Sequence, residues 1–222
     1  MRAIFFDANG VLYYREKDKK NYYLKQFLQK YEITKPLEEV FTPEMEEIHD
    51  SALRGQITQI EYLNKILKVF GINDSTILQE GQEAIKKDHG NITLFPKVND
   101  TLETLKKRGF LIGIITDAEV DKSVKLAWFK EKGLNVLWDA YANSMELKTR
   151  KPDLRMFTFA LEEAGVKKEE AMFVGHESRE INAAKRAGLQ TIGFNYESDV
   201  EADYYIGKFE DLLTLSALYN PE

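Results

Sequence analysis

Ala3-Ile4-Phe5-Phe6-Asp7-Ala8-Asn9-Gly10-Val11 is the stretch on which the fold reading turns. Its apolar run, 3–6, has the pattern of a strand buried on both faces by crossover helices. The run ends on a carboxylate and then a glycine turn. That sets Asp7 at the carboxyl end of a parallel strand, the edge on which open α/β sheets bind ligands.

Outward from this stretch, short apolar runs recur at 110–115, 171–174 and 191–194, each followed by polar residues and a helical pattern. Before the second run, Lys106, Lys107, Arg108 and Gly109 read as a basic helix end with a glycine stop. Between the last two, Ile181, Ala184, Ala187 and Gly188 give a small-residue helix face that packs closely on a sheet. The alternation predicts an α/β fold with a doubly wound parallel sheet. Residues 13–91 behave differently. Tyr23, Phe27 and Tyr31, then Tyr62, Ile66 and Val69, stand at helical spacing, and no strand-like run interrupts them. The expected organisation is an α/β core of residues 1–12 and 95–222, with residues 13–94 as a small helical cap domain.

With 222 residues, 43% of them hydrophobic, the chain can bury one core and a small satellite. Thirty-one Lys and Arg against 37 Asp and Glu give a net charge of -6, and no stretch is dominated by basic residues. No nucleic-acid partner is expected, because phosphate contacts need a basic footprint. The absence of cysteine excludes disulfides, thiolate catalysis and thiolate metal sites. The first apolar run is far too short for a signal peptide or a membrane span, so no membrane partner and a cytoplasmic localisation are expected.

Three more features fall on the edge that carries Asp7. Ile114-Ile115-Thr116-Asp117 ends the second core strand on polar groups. Lys151 precedes Pro152, which disfavours helix at the lysine and holds it in a loop before a helix from about Leu154. The third strand runs into Gly175-His176-Glu177-Ser178-Arg179-Glu180, with Glu180 opening an Ala-rich helix. Four such features point to a site for a small anionic molecule. His49 and His89, in the insert, have no second ligand at metal spacing and read as surface or packing residues. Trp128, Phe129 and Trp138 read as packing.

As an ordered set, Asp7-Ala8-Asn9-Gly10, Thr116-Asp117, Lys151-Pro152-Asp153 and Gly175-His176 through Glu180 resemble the motifs of the haloacid dehalogenase-like superfamily, over nearly the whole chain. The segment from Ala183 to Gly188 is similar to the family's alanine-rich helix. Arg54-Gly55-Gln56-Ile57-Thr58 resembles a cap turn of phosphatase-like members. The resemblance implies a phosphomonoester hydrolase with Asp7, Asn9 and Lys151 as catalytic residues. Asp7 would attack phosphorus to form an aspartyl-phosphate. Thr116, Asp117 and Gly10 would bind the substrate, and Lys151 would neutralise developing charge. It also implies Mg²⁺ as cofactor, with Asp7, Asn9, Glu177 and Glu180 as the candidate ligands, and a small phosphorylated metabolite as partner.

Two positions depart from that pattern. Asn9 stands where the family's phosphatases carry the aspartate that shuttles a proton to the leaving group, and its amide cannot titrate near pH 7. General acid help, worth about 10² to 10⁴ in rate, is lost with it. His176 stands where a carboxylate would bind the metal, and imidazole is a poor donor for Mg²⁺. Glu177 or Glu180 could compensate, or a protonated His176 could put a positive charge where the metal sits. Four readings stay open: a hydrolase with a modified site, a metal-independent member, a non-catalytic anion-binding or regulatory protein, and a dehalogenase displacing halide from a small acid.

Overall fold

The computed structural model describes residues 1–219, built around one six-stranded sheet. Its strands are β1 (Ala3–Phe6), β4 (Leu111–Thr116), β5 (Ala140–Asn143), β6 (Ala171–Gly175), β7 (Gln190–Phe194) and β8 (Tyr204–Ile206). They lie in the order β5-β4-β1-β6-β7-β8, every neighbouring pair parallel. Two short strands, β2 (Tyr13–Tyr14) and β3 (Thr93–Leu94), pair antiparallel beside it.

All four residues of β1 are buried, and alternation along the strand decides what each one meets. Ile4 and Phe6 join Leu102 and Leu105 of α5 (Val98–Lys107) and Phe129 of α6 (Lys122–Glu131) on one face. Ala3 and Phe5 join Phe157 of α8 (Arg155–Ala164) and Ile181 of α9 (Ser178–Ala187) on the other. Truncating one of these aromatics, such as Phe157 against Phe173, would cost about 3–5 kcal/mol. This is the doubly wound sheet read from the sequence. Because β1 has β4 on one side and β6 on the other, the chain departs in opposite directions around its carboxyl end. A crevice opens there, and Asp7 stands in it.

The strand expected at 110–115 begins and ends one residue later, which makes Thr116 its last residue. β5 and β8 were not legible. Ala-Tyr-Ala-Asn lacks a β-branched residue and Tyr-Tyr-Ile is only three residues long, so pairing with neighbours, rather than propensity, makes them strands. Nor is the insert free of strand: β2 and β3 close its root.

Between them run α1 (Tyr22–Lys30), α2 (Pro43–Leu53), α3 (Gln59–Val69) and α4 (Ser75–Gly90). Local signals start them: Thr42 before Pro43 at α2, a reciprocal Thr58 and Glu61 capping box at α3, and Asp74 at α4. Leu24, Phe27, Leu63, Leu67 and Ile85 form an apolar cluster separate from both faces of the sheet. Two contacts clasp these helices to the loop that carries Lys151. Lys148 Nζ donates to Gly55 O at 2.7 Å, and Arg150 Nη1 donates to Asp50 Oδ1 at 2.7 Å. Gly55 has φ +57°, and a Cβ there would stand 2.3 Å from the Met145 carbonyl oxygen, so only glycine permits that approach.

Candidate active site

β1 delivers Asp7 into the crevice, its backbone N–H donating to Val174 O at 3.0 Å. The loop after α7 (Ser144–Leu147) delivers Lys151, whose N–H donates to Asp117 Oδ1 at 3.0 Å. Lys151 Nζ reaches Asp7 Oδ1 at 2.5 Å and Glu180 Oε2 at 2.7 Å, with all three side chains buried. Glu180 Oε1 accepts the backbone N–H groups of His176 and Glu177 at 2.7 and 3.1 Å, so the first turn of α9 fixes the acid that holds the lysine.

His176 closes the group. Its Nδ1 lies 3.0 Å from Glu180 Oε1 and 3.6 Å from Asp7 Oδ2, and its Nε2 lies 3.7 Å from Glu177 Oε1. These are ion-pair contacts rather than aligned hydrogen bonds, since Nδ1 has no hydrogen-bond partner among the described residues. The ring packs on Gly10, which has φ +85° and where a Cβ would fall 2.4 Å from Nε2. Glycine at position 10 is therefore what lets the imidazole lie beside Asp7.

Burial raises the Asp7 carboxyl to about 6, with Glu180 adding to the rise and Lys151 and His176 opposing it. Burial pulls Lys151 down, but Asp7, Glu180 and Asp117 more than reverse this and leave it above its ordinary value. Burial also works against the Glu180 carboxylate, yet Lys151 and His176 hold it well below the usual carboxylate range. For His176, burial favours the neutral ring and is outweighed by Glu180, Asp7 and Glu177, so its pKa lies above the ordinary 6.5. At neutral pH the site thus holds two carboxylates against an ammonium and a ring biased toward imidazolium.

Asp7, His176 and Glu180 each bring one ligand atom within 4.8 Å of the others, as a metal site would. The donors do not fit Mg²⁺. Both carboxylates already hold Lys151, Glu180 is also spent on backbone N–H groups, and the third donor is nitrogen where Mg²⁺ prefers oxygen. Of the other expected ligands, Glu177 lies beyond the ring and pairs with Arg179 at 2.7 Å, and Asn9 is exposed at the mouth of a neighbouring cavity. Thr116 is buried and its Oγ1 accepts from Lys125 Nζ at 2.9 Å. Asp117 faces Arg150 and Arg179, each at 3.5 Å.

That cavity, of about 450 Å³, separates the helices of 22–90 from the sheet edge. Asn9 and Asp117 line it from the side of Asp7. From the other side come residues that sequence reasoning missed or set aside. His89 Nδ1 faces Glu119 Oε1 at 3.1 Å, and His49 stacks on Tyr62 with ring centroids 5.2 Å apart. Both histidines line the cavity, and neither belongs to a group that could hold a metal among the described residues. Trp128 lines it too, whereas Phe129 and Trp138 pack in the core as expected. Only the docking of α2 and α4 over the loop after β4 brings these side chains together, and no local pattern announces it. Lys125 alone left a trace, standing four residues before buried Phe129 on one helix face.

The family model for haloacid dehalogenase-like hydrolases matches residues 4–194, and the chain belongs to that family. Pyrophosphatase PpaX of Bacillus velezensis is 30% identical over 134 residues, 57% of this chain and 61% of its own length. (S)-2-haloacid dehalogenase 4A of Burkholderia cepacia is 26% identical over 152 residues, 68% of this chain and 63% of its own. The matches therefore span somewhat less than two thirds of those relatives. A 2-haloacid dehalogenase structure from Pseudomonas syringae pv. Tomato DC3000 has a TM-score of 0.75 at 22% identity, covering 99% of this chain and 100% of that one, and shares the fold. Among the described residues no helix is long and apolar enough to cross a membrane.

Proposed function

We propose that the protein hydrolyses small phosphate monoesters through Asp7, without a resident metal. The observation that carries this reading is the geometry at the end of β1, where the buried Asp7 carboxylate stands in the crevice with Lys151 Nζ 2.5 Å from its Oδ1. An Asp7 oxygen attacks phosphorus, the bond to the leaving oxygen breaks, and that oxygen takes its proton from solvent because Asn9 has none to give. Water then attacks phosphorus of the aspartyl-phosphate, loses a proton to solvent, and releases phosphate and the free carboxylate. Lys151 supplies the positive charge that the phosphoryl oxygens meet, with His176 beside it, and Thr116 and Asp117 stand at the same edge. Residues 13–94 serve as the cap over residues 1–12 and 95–222.

An aryl phosphate, whose leaving group barely needs a proton, is the substrate on which to look first. Slow turnover by the purified protein, abolished in Asp7→Asn, is expected. Turnover that survives Asp7→Asn would refute the assignment.

A further inference from the structure

Two cations in the cavity are hydrogen-bonded to neutral groups alone among the described residues. Lys125 is 3% exposed, and its Nζ donates to Thr116 Oγ1 and lies 5.8 Å from the centre of the Tyr13 ring. Arg15 lies over the same ring at 5.6 Å, and its Nη2 donates to His89 O at 2.9 Å. Its Nε is buried with no hydrogen-bond partner among the described residues.

The carboxylates that line the cavity are already engaged. Asp88 accepts the backbone N–H groups of Tyr23 and Leu24 at 3.0 and 2.9 Å, capping α1. Asp117 holds the Lys151 N–H and faces Arg150 and Arg179. Glu119 faces His89. Lys20 adds further positive charge to the lining, whereas Lys19 is paired with Glu16 at 2.8 Å. Burying a cation on neutral partners is unfavourable, which applies to the Lys125 side chain and to the Nε of the half-buried Arg15, so the fold alone gives little reason to keep them here. An anion between them would complete both. Lys125 touches Thr116, at the end of β4 beside Asp7, so that anion would sit on the leaving-group side of a phosphoryl group held at Asp7.

We propose that Arg15 and Lys125, both beside the Tyr13 ring and both lining the cavity, form a second anion subsite that selects phosphate esters whose leaving group carries a further anionic group. The proposal rests on Asp7 as the phosphoryl site, and names the substrate class that site takes. A guanidinium with a free Nε–H and a neighbouring ammonium bind a carboxylate or a second phosphate by charge-assisted hydrogen bonds.

Non-hydrolysable ligands test it apart from turnover. Calorimetry would compare propylphosphonate with phosphonopropionate, which adds a carboxylate, and with ethylene bisphosphonate, which adds a second phosphonate. The unmodified protein is expected to bind at least one of the doubly anionic ligands on the order of tenfold more tightly than propylphosphonate, and the tighter one names the second anion. Arg15→Gln and Lys125→Met should each bring that preference toward parity, and Arg15→Lys should keep part of it. The ligand-free melting temperature of Lys125→Met should rise, because an uncompensated buried charge is gone; a purely structural lysine would lower it. Parity in the unmodified protein, a preference that survives both substitutions, or a melting temperature that falls in Lys125→Met would overturn the subsite. Any of these beside Asp7-dependent turnover of an aryl phosphate would leave the Asp7 assignment standing.

Discussion

Two sets of buried charge meet at the end of β4, and they are built on opposite terms. Around Lys151 the ammonium touches two carboxylates, one carboxylate also caps α9, and a histidine closes the far side. Around Lys125 and Arg15 the bonded partners are a hydroxyl, a carbonyl and an aromatic face, and the nearby Glu119 carboxylate is engaged by His89. The first set is closed without a ligand. The second is open. A closed set is part of what holds the core together, whereas an open one weakens the free protein and gains from whatever binds.

The largest expected effect breaks the closed set. Lys151→Met leaves Asp7 and Glu180 buried without their cation and should cost about 3–5 kcal/mol in chemical denaturation. A loss under about 1 kcal/mol would mean that the set does not hold the fold. The contrast with Lys125→Met, expected to stabilise, is the sharpest form of the comparison.

Next comes the missing acid. Asn9→Asp restores a titratable group beside the leaving oxygen and should raise turnover of an alkyl phosphate about 10²-fold, with a much smaller gain on an aryl phosphate. Equal gains on both esters would show that position 9 acts on something other than leaving-group protonation. The loop after β6 is tested by metal affinity. His176→Asp replaces the imidazole by the oxygen donor that Mg²⁺ prefers, and should tighten Mg²⁺ binding by roughly 10–100-fold in calorimetry. Tight binding to the unmodified protein, unchanged by the substitution, would reject the account of His176.

The smallest effect concerns pH. A raised Asp7 pKa means that the nucleophile is protonated below about 6 and ionised above it. kcat/KM for an aryl phosphate should therefore rise through that value and be roughly tenfold lower at pH 5 than at pH 7. A profile flat over that interval would show Asp7 titrating elsewhere.

The same contrast explains what the sequence could disclose. Asp7, Thr116, Lys151 and Glu180 were legible because each follows an apolar strand run or precedes a proline, so local pattern put them on one edge before any contact was known. β1, β4, β6 and β7 were legible for the same reason. Arg15, Lys125, His89 and Glu119 come from the residue after β2, from α6, from α4 and from the loop after β4, and each looks like an ordinary surface charge until the helices of 22–90 fold over the sheet. Their meaning lies in which partners they lack, and only a three-dimensional arrangement displays that.

Hydrolysis of an aryl phosphate in heavy-oxygen water tests the central claim most directly. If Asp7 attacks phosphorus, water later attacks the same phosphorus, so the label should appear in the released phosphate while the Asp7 carboxylate stays unlabelled through repeated turnovers. Label accumulating in the Asp7 carboxylate would place water's attack on the side-chain carbonyl carbon, the course required by halide displacement from carbon, and would contradict the phosphatase reading.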